Sequence, residues 1–508
     1  LALGRPDLAR AELAQAAAAR AQGTADLRAQ AWHAAALVRL AEGDVGGAKR
    51  ALGRGIAVVD EYRSTLGATE LRANAASHGA EIARLGIQLA MAHGRPSELL
   101  RWADRCRAGA MQRVEVRPPP DQSVAAALAE LRHARSEVRA ASLHGHGHGS
   151  ATDLTRAAAL EEMVRNRARQ ISPHRTADVG RIDVQPLRRA LGASVLVEYV
   201  THEDRLMALT VTRDRVHLVE LGTTEAMAKE KDYLLFALRR LVMGRGRGVS
   251  ADVLGPTAAR LDELLVGPLR LDPDAPLVVV PTGLLHGLPW SCLPSLAGRD
   301  VTIAPSAAMW LGRPRSEPPR PPVGRTRRAL VAGPQLPGAE AEIEQLATLY
   351  PDAEVVVGPA ATSAHVLAAM ERADVVHVAA HGHFRADSPL FSSLLLADGP
   401  LTVYDIEQVR TVPRLVVLSA CDAAVADVRA GDELLGTANA LISLGVCSVV
   451  APVFAVPDET TTPLMVALHQ RLLAGASPSA ALARAAAGHD PAATAAFLCI
   501  GRNDQDPC

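Results

Sequence analysis

Cysteine is scarce in this chain: six residues in 508, at positions 106, 292, 421, 447, 499 and 508, with no CxxC pair. They are too few and too scattered for a disulfide scaffold or a zinc cage, which points to a reducing cytosol and to no metal centre. An excess of charge is missing too. The 54 Lys and Arg nearly cancel the 55 Asp and Glu, so no global field steers the protein to nucleic acid or to an anionic membrane. No stretch approaches the ~20 uninterrupted apolar residues of a membrane span, and the amino end lacks a basic-then-apolar-then-cleavage pattern. The expectation is a cytoplasmic protein with no cofactor and with neither nucleic acid nor membrane as partner. The opening Leu1-Ala2-Leu3-Gly4 has no methionine, and a piece of a longer protein is expected, with further repeats or a signal ahead of it.

What is present is ample apolar material, 48% of residues, and enough length for several domains of roughly 100–200 residues. Residues 1–115 are rich in Ala, Leu, Arg and Glu at helical spacing. Turn glycines recur at Gly4, Gly43 and Gly94. The intervals, 39 and 51, exceed the ~34-residue tetratricopeptide period, so the region resembles degenerate repeats of that kind. Residues 116–180 read as a helical linker, with helices near 121–142 and 151–170 around the alternating His and Gly of 144–149, a flexible connector. From about 181 strands appear, first as a meander and then, beyond residue 329, in alternation with helices. That alternation makes a largely parallel sheet with helices on both faces. The Arg- and Pro-rich run 313–328 reads as an exposed loop, and Arg245-Gly246-Arg247-Gly248, lacking a following Lys-Ser or Lys-Thr, as a mobile loop rather than a phosphate site.

Two short apolar runs carry the chemistry. Val375 to Ala380 leads into His381-Gly382, and Leu415 to Ser419 leads into Ala420-Cys421-Asp422. Both have the length and composition of buried parallel strands, so an imidazole and a thiol stand at strand ends, where ligands of open α/β sheets bind. An unperturbed cysteine thiol, which ionises only at about pH 8.5, needs a neighbouring base to attack a carbonyl, and histidine supplies one. Backbone N–H groups at Gly382 and Cys421 are candidate oxyanion donors. The 40-residue interval between His381 and Cys421 compares with the ~50 residues of caspases.

Six segments in order resemble the pattern of CHAT domains: Thr282 to Trp290, Ala380-His381-Gly382, Pro389 to Ser393, Leu401 to Ile406, Leu418 to Asp422 and Gly431 to Gly436. These domains are caspase-like cysteine peptidases, related to separase and commonly fused to tetratricopeptide repeats. The resemblance covers about residues 190–500. It implies an α + α/β chain, with helical repeats (1–115), a linker (116–180) and a caspase-like domain (181–505, core about 325–501). It further implies His381 as general base or acid and Cys421 as nucleophile. Two departures bear on loop geometry: Asp422-Ala423-Ala424 follows the cysteine, and Phe454 stands where the family usually has Trp.

The expected function is that of a cysteine endopeptidase whose repeats recruit a protein substrate or receive a protein activator. A catalytically inactive scaffold and a non-peptidase thiol hydrolase are the rival readings. Asp432, Glu433 and Asp458 read either as helix caps or as pocket carboxylates that select a basic side chain. His377, inside its apolar run, reads as a hydrogen-bonded core residue, and His383 as a backup base.

Overall fold

A computed structural model describes residues 6–66, 69–92, 95–107, 114–116, 122–143, 151–170, 175–176, 182–242, 247–312, 326–420, 427–429 and 433–502. The chain forms two compact units: Leu1–Pro118 with Arg169–Val184 and Val428–Leu434, and Pro119–Ala168 with Gln185–Asp427 and Leu435–Cys508. None of the helices among the described residues is long and apolar enough to cross a membrane.

The first unit contains the helices α1 (Pro6–Ala18), α2 (Ala25–Ala41), α3 (Val45–Ser64), α4 (Thr69–Ala76), α5 (Ala80–Ala92) and α6 (Pro96–Arg107). Polar side chains start them where orphan N–H groups need acceptors: Thr24 caps α2, and Asp44 Oδ1 accepts from Gly47 N–H at 2.6 Å at the start of α3. Gly43 turns the chain between α2 and α3 at φ 79°, a conformation open to glycine at little cost. Gly4 and Gly94 lie outside the described residues. Small residues then let the helices close on one another. A Cβ on Gly55 would stand 2.7 Å from Ile82 Cδ1, and one on Gly86 would stand 2.5 Å from the Trp102 ring.

The second unit is built on an eleven-stranded sheet. Its strands are β1 (Val195–His202), β2 (Arg205–Val211), β3 (Val216–Thr223), β4 (Leu277–Val280), β5 (Val301–Ile303), β6 (Arg328–Ala332), β7 (Glu354–Val356), β8 (Val375–Ala379), β9 (Leu415–Ser419), β10 (Ser448–Pro452) and β11 (Phe497–Gly501). They lie in the order β3-β2-β1-β4-β5-β11-β10-β9-β8-β6-β7. The meander β1 to β3 is antiparallel, β1, β4, β5 and β11 are parallel neighbours, and β10, β9, β8, β6 and β7 form a second parallel block. The two blocks meet in the antiparallel pair β10 and β11. The sheet is thus mostly parallel, as expected, and helices flank it. The strand at 497–501 was not anticipated. Helices α7 (Gln122–Leu143) and α8 (Ala151–Gln170) lie where the sequence places them, and the arm Pro119–Ala168, which holds α7 and most of α8, belongs to this unit. Arg247 and Gly248, expected in a loop, instead open the helix Arg247–Leu265. Residues 144–149 and 313–325 lie outside the described residues.

Strand alternation sends Ala329, Val331, Val376 and Val378 into the large core, and Leu330, Ala332 and Ala379 into a second cluster against Ile343 and Leu346 of α9 (Pro337–Leu349). Into that second layer the sequence also places polar groups. His377, fully buried, has Nε2 2.7 Å from Glu342 Oε1 and Nδ1 3.0 Å from Nε2 of His469, on α10 (Asp458–Leu473). His469 Nδ1 lies 3.0 Å from the Tyr350 hydroxyl, and Thr462 donates to Glu342 Oε2 at 3.3 Å. Across the ring nitrogens one ordering of protons fits: Tyr350 donates to His469, His469 to His377, and His377 to Glu342, with the Tyr350 hydroxyl also 3.3 Å from the His469 carbonyl oxygen. The expectation of a hydrogen-bonded core histidine at 377 holds.

Burial holds the His469 pKa well below its ordinary 6.5, helped by His377 and Arg328 nearby. The unfolded chain therefore takes up a proton near pH 6.5 that the folded chain refuses. Stability should fall as pH drops below 6.5 toward the lowered folded value, with a slope of up to about 1.4 kcal/mol per pH unit from this residue. Denaturant unfolding at stepped pH should show a shallower slope for His469→Phe than for the wild type. Equal slopes would contradict the assignment.

Candidate active site

Parallel strands β8 and β9 pair without stagger, from Val375 opposite Leu415 to Ala379 opposite Ser419. The alignment continues one step further, as Ala380 N–H donates to Ser419 O at 3.3 Å. Apart from His377 and the terminal Ser419, both runs are apolar on both faces, which is why each forms a central strand and not a half-exposed one. His381 follows Ala379 by two positions, and Cys421 follows Ser419 by two. Cys421 itself lies outside the described residues, as do Asp432 and the side chains of Glu433 and Asp458.

The His381 ring is half-buried, and its Nε2 lies 3.0 Å from the Gln335 carbonyl oxygen. A carbonyl only accepts, so Nε2 carries the hydrogen and the neutral ring keeps its lone pair on Nδ1. Gln335 holds that carbonyl in place from a left-handed backbone, φ 59°, which is uncommon for a residue with a side chain. It ends the turn Gly333-Pro334-Gln335 after β6. Gly333 N–H donates to Ala379 O at 2.7 Å, and a Cβ there would stand 2.7 Å from both Ala380 Cβ and Leu395 O. Beyond His381 the chain leaves the main sheet. Gly382 and His383 pair antiparallel with Leu394 and Ser393, and Leu395 N–H donates to His381 O at 2.8 Å. The histidine is therefore fixed at backbone and ring alike. His383 is exposed on that outer strand.

A cleft of about 590 Å³ opens beside His381 and Gly382. Its far wall comes from α7 and α8. Glu161 accepts from Arg385 Nη1 at 2.7 Å and pairs also with Arg135, whose pKa is lowered by burial and by the neighbouring Arg385. Asp387 holds the other edge of Arg385. Arg132 of α7 donates to the buried Asp405 at 2.6 Å, and Asp405 forms a capping box with Thr402. None of these arm residues was anticipated, because over 220 positions separate Glu161 from Arg385. The turn Gly333-Pro334 did carry a local signal, as glycine-proline punctuation directly after a strand.

The remaining motifs are structural where they are described. Trp290 is buried against Tyr199, ring centroids 5.4 Å apart. Phe454 is buried in the large core. The helix expected from residue 433 starts at Thr437 behind Gly436, and residues 433–435 are extended, so neither Asp432 nor Glu433 caps it. Asp458 is the first residue of α10, with Pro457 at the cap position, so it is not the N-cap either. Cys292 and Cys499 are not disulfide-bonded, whereas Cys447 is, in a chain whose sparse cysteines pointed to a reducing cytosol.

Gly333→Ala should force β6, β8 and the Leu395 strand apart, costing about 1–3 kcal/mol as overpacking does. Unfolding midpoints would measure it. An unchanged midpoint would mean that the clamp around Ala380 has slack.

Residues 255–491 match the family model described as CHAT domain. Two solved structures of the Saccharomyces cerevisiae separase-securin complex are similar to the chain. One, at 2.6 Å resolution, has 9% identity and a TM-score of 0.47 over 94% of this chain and 45% of that one. The other, at 3.0 Å, has 10% identity and a TM-score of 0.49 over 97% and 45%. This chain thus spans less than half the length of those it matches. No curated protein matches the sequence. The matched stretch holds the His381 strand, the Cys421 strand and all six motifs read from the sequence.

Proposed function

We propose that this protein is a cysteine endopeptidase whose nucleophile is Cys421 and whose base is His381. The observation that carries the reading is the unstaggered pairing of β8 and β9, which ends two residues short of each. The helical unit is the part that recruits a protein substrate or receives a protein activator, as helical arrays do through extended surfaces.

In this reading His381 Nδ1, left without a hydrogen by the Nε2 contact to Gln335, takes the Cys421 thiol proton. The thiolate sulfur attacks the scissile carbonyl carbon, and the carbonyl π pair moves to oxygen. Backbone N–H groups of Gly382 and Cys421 stabilise that oxyanion. Collapse breaks the C–N bond as the His381 imidazolium gives its proton to the leaving amine. Water, losing a proton to Nδ1, then attacks the thioester, and the sulfur leaves and regains the proton. A neutral ring with one fixed N–H and one open nitrogen suits both half-reactions.

The test is detection of new protein termini in a lysate of the source organism after addition of the protein. Wild type should generate a discrete set of termini, and Cys421→Ala and His381→Ala should each lose about 10³-fold or more in rate, because neither member of the pair works alone. Gln335→Pro, which cannot keep a left-handed backbone, should lower turnover while Gln335→Gly retains it. Termini that appear equally with Cys421→Ala would remove the sulfur from the chemistry.

A further inference from the structure

A groove of about 410 Å³ runs between α3 and α6 of the helical unit. Lys49, Arg50, Arg95, Arg101 and Arg105 line it, against Glu98 as the acidic member of the lining. Lys49 pairs with Glu98 at 2.7 Å, and Arg105 reaches Asp60 at 3.1 Å. Arg50 lies toward Asp44, whose carboxyl is held below the ordinary range chiefly by the Gly47 N–H and in smaller part by Arg39 and Arg50. Arg95 and Arg101 are exposed and make no ion pair among the described residues. The floor is the Trp102 ring, seated on Gly86, where a Cβ would collide with it.

We propose that this groove binds an acidic peptide segment of a partner protein, with carboxylates on Arg95 and Arg101 and an apolar side chain on Trp102. This rests on the reading of the helical unit as the recruiting element. Guanidinium groups pair with carboxylates through two parallel hydrogen bonds, and an aromatic floor adds apolar contact that a bare charge cluster lacks. The volume suits a few side chains. Glu98 inside the groove opposes a continuous run of phosphates, which favours a peptide over a nucleic-acid strand. Association carried by Arg95 and Arg101 should weaken as salt rises.

The test is fluorescence anisotropy of a labelled short peptide of Asp, Glu and Leu, titrated with the full chain. The comparators are the same peptide with Lys replacing every acid and a single-stranded DNA oligonucleotide. The acidic peptide should bind, the Lys peptide should not, and Arg95→Glu/Arg101→Glu should weaken binding by at least about tenfold. Arg95→Gln/Arg101→Gln should weaken it less, and an unchanged helical circular-dichroism spectrum would show that each variant is folded. Running the series on Cys421→Ala as well separates this claim from the dyad, since binding should be the same there. Equal binding of acidic and Lys peptides, unchanged affinity of the Arg95→Glu/Arg101→Glu variant, or tighter binding of the oligonucleotide would overturn the assignment.

Discussion

Two adjacent strands that run the same way with no offset deliver equivalent positions side by side, about 4.8 Å apart across the ladder. That is the constraint on which the site depends. Register in a sheet is costly to change, because a slip of one residue turns every side chain to the other face. Between β8 and β9 a slip would bring Val376, Val378, Val416 and Leu418 out of a core in which each is fully buried. The placement of His381 is thus underwritten by the burial of apolar side chains several residues away from it. Gly333 adds a second restraint, since its N–H bonds Ala379 and its lack of a Cβ lets Ala380 and the Leu395 carbonyl approach.

Beneath the same strand, four residues before His381, a line of polar groups crosses the layer of α9 and α10. A buried polar chain of this kind is stabilising only when each member is satisfied, and a single apolar substitution leaves partners stranded. The order of donors from Tyr350 to Glu342 meets that condition. It ties together three elements through geometry that apolar packing alone would leave free to slide. The ring of His381, by contrast, hangs on one backbone carbonyl held in an uncommon conformation. Its support is local, and lies in the turn between β6 and α9.

Much of this was legible because it is local. The runs Val375–Ala379 and Leu415–Ser419 are too short and too β-branched to be helices, and both proved to be central strands. His377 declared itself by sitting inside an apolar run. What stayed hidden was non-local. Phe497–Gly501 follows an alanine-rich stretch that reads as helix, and only its partners, β10 on one side and β5 on the other, make it a strand. The wall that Glu161 and Arg135 build beside His381 comes from helices whose surface charges look like any solvated face until Arg385 meets them. Of the two readings of positions 432, 433 and 458, the cap reading fails because Gly436 and Pro457 stand at the cap positions, and neither has a side chain that can accept a hydrogen bond.

The most direct test of the account is the alkylation rate of Cys421 by iodoacetamide near neutral pH, followed by peptide mass spectrometry in wild type and in His381→Ala. The half-buried Cys292, whose thiol is pushed up to about 12 by desolvation, serves as an unreactive internal reference. If His381 draws the proton from Cys421, the wild-type thiol should react well ahead of Cys292 and slow by about tenfold or more in His381→Ala, as its thiolate fraction falls to that of an ordinary cysteine. A Cys421 that reacts at the same rate in both proteins, or no faster than Cys292, would contradict the dyad.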